Sequence, residues 1–232
     1  DGDYAVYNNF PRINGMSVTE NNLVAHNRFG DKAVFTKYTR SVVANNTPLA
    51  EIAIEAGNVW IGSDNTITVT IPNAVGNVTI SVNGKEQSVE LTDGVATVTV
   101  GADDLIAGEN TVDVTYDDIS YNLATNSTTF QVLDGVITNA TYAYYFDASG
   151  YLVDIVPEGA TLDFQGLFKG KYPVYIDKSV NVISSTEDAV FDSNYQSGNA
   201  IYSINIIAGG DNTNITGLSL VNYCLYIKGA NR

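Results

Sequence analysis

The fold class is decided by the stretch NVTISVNGKEQSVELTDGVATVTV, residues 77–100. Its apolar residues alternate with Thr, Ser and Asn, the period of two that gives a β-strand one buried and one solvated face. Asn83-Gly84 supplies the two left-handed positions of a type I′ hairpin turn, and Asp93-Gly94 repeats that signal. The stretch therefore predicts two consecutive hairpins of an all-β fold. The same alternation here and in the flanking strands predicts core positions that include Val69, Ile80, Val98 and Val114.

The same pattern extends on both sides and predicts an immunoglobulin-like β-sandwich over residues 49–132. Trp60 is the only tryptophan, and we expect it to pack between the two sheets. Turn residues separate eight candidate strands, at 51–55, 58–61, 65–71, 77–82, 86–91, 95–100, 110–116 and 127–132.

Residues 1–48 repeat loosely instead of alternating cleanly. The stretch YAVYNN at 4–9 returns as KAVFTK at 32–37, and SVTENNLV at 17–24 returns as SVVANNTP at 41–48. Short apolar pairs with Asn-rich corners, at a period of about 24 residues, are typical of a solenoid. We therefore expect coils of a parallel β-helix before the sandwich.

Residues 133–232 return to short apolar triplets separated by Gly, Asn, Asp and Ser, which predicts a second β-helix. The stretch TYAYYFDASGYL, 141–152, predicts an aromatic hairpin that caps the first coil. The stretches at 179–192 and 212–227 look like the same coil about 33 residues apart, with a loop insertion in the second.

Charge and composition exclude several classes of function. The chain carries a net charge of −15, and residues 49–132 hold twelve acids against Lys85 alone. Such an anionic segment repels a phosphate backbone, so we expect no nucleic-acid partner. No apolar run is long enough to cross a bilayer, so we expect no membrane insertion in this fragment. Cys224 is the only cysteine and lies in an apolar run, which predicts a buried thiol and no intrachain disulfide.

Several of these stretches resemble one known family. GNVTISVNGKEQSVELTDGVATVTV and AGENTVDVTY resemble the Ig-like repeats of the large adhesin-like surface proteins of methanogenic archaea. VITNATYAYYFDASGYLVDIVPEGATLDFQGLFKG with VYIDKSVNVIS is similar to the start of their pectin-lyase-like β-helices, and GDKAVFTKYTRSVVANNTP to the end of one. The resemblance implies C-terminal coils of one β-helix at 1–48, an Ig-like module at 49–132, and the cap and first coils of a second helix at 133–232.

Catalytic chemistry finds little support in the residues. Right-handed β-helices include polysaccharide lyases and hydrolases, but Arg12, Arg28 and Arg40 do not follow the coil period. Asp188 and Asp192 share a strand face at a spacing too wide for a tight acid pair. His26 and Cys224 lack partners for nucleophilic catalysis. We therefore predict no catalytic, cofactor-binding or metal-binding residues.

The remaining candidate sites are surface features. Tyrosines are dense between 142 and 175, and a tyrosine surface can stack on sugars or enter a protein interface. From this region and the basic residues we single out Tyr144, Tyr145 and Arg28 as ligand contacts. The acid pairs at 103–104 and 117–118 could contribute to a calcium site, although an exposed acidic loop is the simpler interpretation. Asn-x-Ser/Thr acceptors for glycosylation occur at Asn45, Asn77, Asn126, Asn139 and Asn214.

These observations favour a non-enzymatic fragment of an extracellular, cell-surface adhesin, with the Ig-like module as a spacer. Its partners would be surface glycans or proteins of other cells. A carbohydrate-active enzyme that uses a β-helix groove and a purely structural stalk repeat are the alternatives. Because the sequence opens and stops in mid-pattern, we expect it to be a piece of a longer protein.

Overall fold

The computed structural model describes residues 6–8, 12–13, 16–17, 23–25, 28–29, 34–36, 42–44, 47–48, 50–117, 123–170, 172–193 and 202–229. Within these residues the fold is all-β, as predicted, with a 3-10 turn at Ala102–Asp104 and one short helix, α1, at Tyr142–Tyr145. The chain divides into two compact units. The first unit comprises Asp1–Gly57, Asp64–Leu105 and Asn110–Phe130, and the second comprises Asn58–Ser63, Ile106–Glu109 and Gln131–Arg232.

Before residue 50 the described residues form short strands that pair mostly in parallel. They are β1 (Val6–Asn8), β2 (Arg12–Ile13), β3 (Met16–Ser17), β4 (Leu23–Ala25), β5 (Arg28–Phe29), β6 (Val34–Thr36), β7 (Val42–Ala44) and β8 (Thr47–Pro48). The pairs β1–β6, β4–β7 and β5–β8 are parallel, and β2–β3 is antiparallel.

The strand register tests the two repeats found in this segment. Val6 lies opposite Val34, so the predicted 28-residue repeat is confirmed. Leu23 lies opposite Val42, an offset of 19 residues, so the predicted 24-residue alignment of 17–24 with 41–48 is wrong. That alignment matched Asn pairs, whereas the strands match the apolar triplet Leu23–Ala25 to Val42–Ala44.

Residues 50–133 contain all eight predicted strands, with ends that differ from the prediction by at most three residues. β12 pairs with both β13 and β15 in antiparallel fashion, and β10 pairs with β16 in parallel. The sheet orders are β10-β16-β15-β12-β13 and β14-β11-β9. The strands are β9 (Ala53–Ala56), β10 (Val59–Trp60), β11 (Asn65–Thr70), β12 (Asn77–Val82), β13 (Lys85–Glu90), β14 (Val95–Val100), β15 (Gly108–Tyr116) and β16 (Ala124–Leu133).

Alternation along these strands buries one side of each. The four predicted core positions are confirmed, with exposed fractions between 0% and 8%: Val69, Ile80, Val98 and Val114. The Thr residues between them on β11 and β14 stay exposed or half-buried. Burial of the Val and Ile side chains therefore fixes the facing of both sheets, because a slip of one residue would reverse it.

The first predicted hairpin is confirmed and the second is wrong. β12 and β13 pair around Asn83 and Gly84, whose φ angles are 51° and 84°. Asp93 and Gly94 also adopt left-handed φ angles, 52° and 76°, but beyond the Thr92–Val95 bridge β14 pairs with β11. The Gly94 carbonyl accepts a hydrogen bond from the Ile71 N–H at 2.7 Å, which ties this turn to the end of β11. The turn therefore transfers the chain from one sheet to the other.

Trp60 does not lie between the two sheets, so that prediction is wrong. Its ring is half-buried against the core of the second unit and meets Tyr145 edge-on, with ring centroids 6.4 Å apart. The cause is the parallel pairing of β10 with the end of β16, where Trp60 lies opposite Leu133, a member of the same core.

The second unit is organised by three parallel ladders of short strands. The ladder orders are β17-β18-β21-β24, β19-β22-β25 and β20-β23-β26. The strands are β17 (Val136–Ile137), β18 (Thr161–Phe164), β19 (Leu167–Lys169), β20 (Val174–Ile176), β21 (Asn181–Ile183), β22 (Val190–Asp192), β23 (Tyr202–Ile206), β24 (Asn214–Ile215), β25 (Ser219–Val221) and β26 (Tyr223–Ile227).

Parallel pairing in register stacks similar residues along each ladder. Phe168 lies opposite Phe191, and their rings stack with centroids 4.7 Å apart and planes 12° apart. Phe164 meets both rings edge-on, at 5.5 and 5.3 Å. All three phenylalanines are fully buried, and they form the centre of the core of this unit.

Of three local predictions for the second unit, one holds in part and two are wrong. The stretch 141–152 does turn at Ser149-Gly150, where Phe146 pairs with Leu152 and the Asp147 N–H donates to the Tyr151 carbonyl, but Tyr142–Tyr145 form α1 instead of a strand. The loop insertion lies in the earlier of the two similar segments, since six residues separate β21 from β22 and three separate β24 from β25. Cys224 is exposed, because it lies on the last described strand of its ladder, opposite Ser203.

The Asn83-Gly84 turn allows a direct test of the register that it sets. We expect Gly84→Ala to lower the free energy of unfolding by about 1–2 kcal/mol, because an L-residue is strained at positive φ. A new Cβ would meet no atom within 4 Å at Gly84 or at Gly57, so steric clash contributes at neither site. Gly57→Ala, where φ is not left-handed, is therefore the matched control and should be nearly neutral. Equal urea midpoints for the two variants would contradict the assignment.

Candidate functional site

The predicted sequons fall on exposed positions where the structure describes them. Asn77, Asn126, Asn139 and Asn214 are exposed, and Asn45 lies outside the described residues. Three of the four side chains already make hydrogen bonds: Asn77 with Ser88, Asn126 with the Ile52 carbonyl, and Asn139 with the Tyr172 hydroxyl. Exposure is the condition that glycosylation requires, and these four asparagines meet it.

The three predicted ligand contacts belong to different units of the chain. Arg28 lies on β5, in the first unit, opposite Thr47. Tyr144 is 38% exposed on α1, whereas its neighbour Tyr145 is 2% exposed and belongs to the core. Burial raises the pKa of Tyr145 to about 12, so its hydroxyl stays protonated at neutral pH. Of the two tyrosines, only Tyr144 presents its ring to solvent.

Tyr144 forms one wall of a cleft of about 200 Å³ within the second unit. We call this depression the Tyr144 cleft. Its polar side chains come from the end of β16 and from the residues between β16 and α1. They are Gln131, Asp134, Thr138 and Thr141.

Three hydrogen bonds hold the acidic side of the cleft in place. The Tyr145 hydroxyl donates to Asp134 Oδ1 at 3.2 Å and accepts from the Gly135 N–H at 3.0 Å. The Val136 N–H also donates to Asp134 Oδ1, at 3.0 Å. Gly135 has φ of 89°, and a Cβ there would lie 2.2 Å from the Thr161 carbonyl oxygen, so only glycine fits. These contacts fix the Asp134 carboxylate against the core.

Two threonines hold the entry to α1. The Thr138 N–H donates to Thr141 Oγ1 at 2.9 Å, and the Thr141 hydroxyl donates to the Val136 carbonyl at 3.3 Å. The Tyr142 hydroxyl on the opposite side of α1 donates to the Pro173 carbonyl, and burial raises the pKa of Tyr142 well above its ordinary value. α1 is therefore anchored on both sides of Tyr144.

A second aromatic surface follows the ladder β20-β23-β26. Tyr151 bridges to Tyr175 in parallel, and their rings stack with centroids 4.9 Å apart and planes 14° apart. Tyr175 lies opposite Asn205, which lies opposite Tyr226. Tyr151 and Tyr226 are 40% and 53% exposed, Tyr175 is half-buried, and Asn205 between the rings is buried. We call Tyr151, Tyr175, Asn205 and Tyr226 the tyrosine row.

Sequence reasoning missed most of these positions. It noted the density of tyrosines but not that parallel pairing would align Tyr151, Tyr175 and Tyr226. It also missed Asp134, Thr138 and Thr141. The Asn139 sequon, which includes Thr141, indicates a glycosylation site and carries no local signal for a ligand cleft.

Two acids that the sequence did not pair, Asp163 on β18 and Asp188 before β22, accept hydrogen bonds around the turn between β21 and β22. Asp163 accepts hydrogen bonds from the Ser185 N–H at 2.8 Å, the Ser185 hydroxyl at 2.6 Å and the Gln165 amide at 2.8 Å. Asp188 accepts from the Gly166 N–H at 3.1 Å and from the Thr186 hydroxyl. Both carboxylates therefore close backbone turns.

The pKa values of this pair follow from those contacts. Burial acts to raise the pKa of Asp163, but the hydrogen bonds from Ser185 and Gln165 together outweigh it and hold the pKa below its ordinary value. The Thr186 hydroxyl and the Gly166 N–H lower the pKa of Asp188. Hydrogen bonds to the charged form thus keep both groups ionised.

The other predicted acids are separated. Asp188 precedes β22 and Asp192 ends it, opposite Lys169. In the loop proposed for calcium, Asp104 pairs with Lys85 at 2.6 Å. No group of three His, Cys, Asp or Glu side chains forms a metal-ligand cluster among the residues that the structure describes.

No helix in the described part of the chain is long and apolar enough to cross a membrane. Comparisons of the chain with protein-family models, with curated proteins and with solved structures give no match.

The Asp163 contacts predict a specific acid response. Because its folded-state pKa lies below the ordinary 3.8, Asp163 stabilises the fold above that pH. This stabilisation is lost as the pH falls through the folded-state value. In urea titrations between about pH 5 and 3, we expect the free energy of unfolding of Asp163→Asn to depend less steeply on pH than that of the native chain. For Ser185→Ala, which removes the hydroxyl donor to Asp163, the pH dependence of the free energy of unfolding should be intermediate. Equal slopes for Asp163→Asn and the native chain would contradict this role.

Proposed function

We propose that this chain is a non-enzymatic part of an extracellular, cell-surface adhesin that contacts glycans or proteins on other cells. In this proposal residues 49–132 are an immunoglobulin-like spacer. Residues 1–48 and 133–232 are coils of parallel β-helices.

The strand pairing supports this architecture. The eight strands from β9 to β16 fall into a five-stranded and a three-stranded sheet, and the central strands of each bury alternate residues. Immunoglobulin-like sandwiches have seven to nine strands in two such sheets. The three ladders of the second unit are parallel, and each is visited in turn as the chain advances, which is the connectivity of a solenoid.

The observation that carries the functional part is the tyrosine row. Tyr151 stacks on Tyr175 on the ladder surface, and Tyr226 follows two strands further on. Tyrosine combines an apolar ring with a polar hydroxyl, which suits it to sugars and to protein interfaces. Because the row is attached to paired strands, little conformational entropy is lost when a partner binds.

The acids near the ladders support binding over catalysis. Glycosidases need two carboxyl groups about 5–9.5 Å apart on either side of a substrate. Both oxygens of Asp163 instead accept hydrogen bonds from Ser185, and Asp188 Oδ1 accepts from the Gly166 N–H and the Thr186 hydroxyl, so three of these four oxygens have structural partners. The resemblance of residues 76–100 and 136–184 to adhesin-like archaeal surface proteins points in the same direction.

A binding experiment on a glycan array, paired with a turnover assay on polygalacturonate, tests the proposal. We expect array binding by the native chain, a signal reduced about fivefold or more in Tyr226→Ala, and no turnover. Tyr226→Phe retains the ring and should keep most of the signal. Thr97→Ala, on the exposed face of β14, is the surface control.

Two results would overturn the proposal. Turnover that is abolished by Arg28→Ala or Asp192→Ala would establish the enzyme instead. Absence of binding to the array and to whole cells would leave the chain a structural stalk repeat.

A further inference from the structure

The Tyr144 cleft has the features of a small-ligand site. We propose that it binds a single neutral sugar ring, with the ring stacked on Tyr144 and its hydroxyls on Asp134 and the neighbouring polar groups. This inference rests on the proposed function and assigns it a second binding position, on different strands from the tyrosine row.

The size of the cleft limits the ligand. Its volume of about 200 Å³ is below the roughly 300–1,000 Å³ that is usual for drug-sized ligands. The cleft can therefore enclose one sugar ring, and a longer glycan would have to extend from it into solvent.

The aromatic wall is held in position before any ligand binds. Tyr144 is 38% exposed, whereas Tyr142 and Tyr145 on either side are anchored through their hydroxyls to Pro173 and Asp134. Tyr142 also stacks on Phe146, with ring centroids 4.8 Å apart. A wall fixed in this way loses little freedom on binding, so more of the stacking free energy contributes to affinity.

The polar side of the cleft matches the hydroxyls of a sugar. The hydrogen bonds that Asp134 makes within the described residues all involve Oδ1, so Oδ2 can accept from ligand hydroxyls. Gln131 can both donate and accept, and Thr138 Oγ1, which already accepts from the Thr141 N–H at 3.3 Å, retains a second lone pair for a ligand hydroxyl. A few fixed polar groups around an aromatic wall are the usual composition of a specific ligand site.

Charge selects neutral over acidic sugars. Asp134 is the only charged residue in the lining of the cleft, and the chain carries a net charge of −15. A uronate bound here would bring a second carboxylate close to Asp134 without a cation to compensate it. Like charges at short range are unfavourable, so a sugar acid should bind more weakly than its neutral parent.

Saturation-transfer-difference NMR on the whole chain tests this inference. The probes are the methyl glycosides of glucose, galactose and mannose, with methyl glucuronide as the charged counterpart. The chain is produced without glycosylation because the Asn139 sequon adjoins the cleft. We expect saturation of the ring protons of at least one neutral glycoside, and a signal at least about fivefold weaker for the glucuronide.

Variants locate the binding. Tyr144→Ala should raise the dissociation constant of the bound glycoside about tenfold. Tyr144→Phe should change it little if stacking dominates. Asp134→Asn should reduce the difference in dissociation constant between the neutral glycoside and the glucuronide, because it removes the charge that repels the glucuronide. Leu167→Ala, which truncates an exposed side chain of the second unit outside both the cleft and the tyrosine row, is the control and should leave glycoside binding unchanged.

Each negative outcome has a distinct meaning. No saturation of any neutral glycoside, or binding that survives Tyr144→Ala, overturns the cleft inference. If the array signal persists under those conditions and depends on Tyr226, the adhesin proposal stands without the cleft. A glucuronide that binds as well as the neutral glycosides overturns the charge argument, and with it the assignment of Asp134 to the ligand.

Discussion

The second unit depends on the match between the spacing of parallel strands and the centroid separation of offset-stacked aromatic rings, which begins at about 4.5 Å. Neighbouring strands of a sheet lie about 4.7–4.9 Å apart. Phe168 and Phe191, which are register partners, stack at 4.7 Å, and Tyr151 and Tyr175 stack at 4.9 Å on a solvent-facing surface. Backbone pairing and side-chain stacking therefore satisfy the same register, and a slip of one residue would break both.

This constraint leaves the turns and the outward positions free to vary. Six residues connect β21 to β22 where three connect β24 to β25, and the strands remain in register. Asp163 and Ser185 close the longer turn with hydrogen bonds. The two tyrosines proposed to contact a ligand occupy such outward positions. Tyr144 lies on α1, before the ladders, and Tyr226 lies on the outer face of one of them. A rigid core thus presents side chains that can change without altering the fold.

Features set by short-range patterns, such as strands and core positions, could be predicted from the sequence. Features set by pairing between distant strands could not. Alternation and the Asn83-Gly84 turn gave the strands and core positions of residues 64–116, because each signal acts over a few residues. The partner of β14 and the position of Trp60 depend on strands far along the chain, which no local pattern specifies. The same holds for the candidate site, where Tyr144 was predicted from density but Asp134 and the alignment of the tyrosine row required the register.

Hydrogen–deuterium exchange on Phe191→Ala tests most directly whether the stacked aromatic core holds the second unit together. Phe191 is fully buried and contacts Phe164, Phe168 and Tyr223, so its truncation should cost about 3–5 kcal/mol. We expect amide protection to fall throughout β18–β26 while residues 64–105 keep theirs, and Phe191→Leu to lose much less. Protection that falls only in β22 and its immediate neighbours would contradict the central role of the stack.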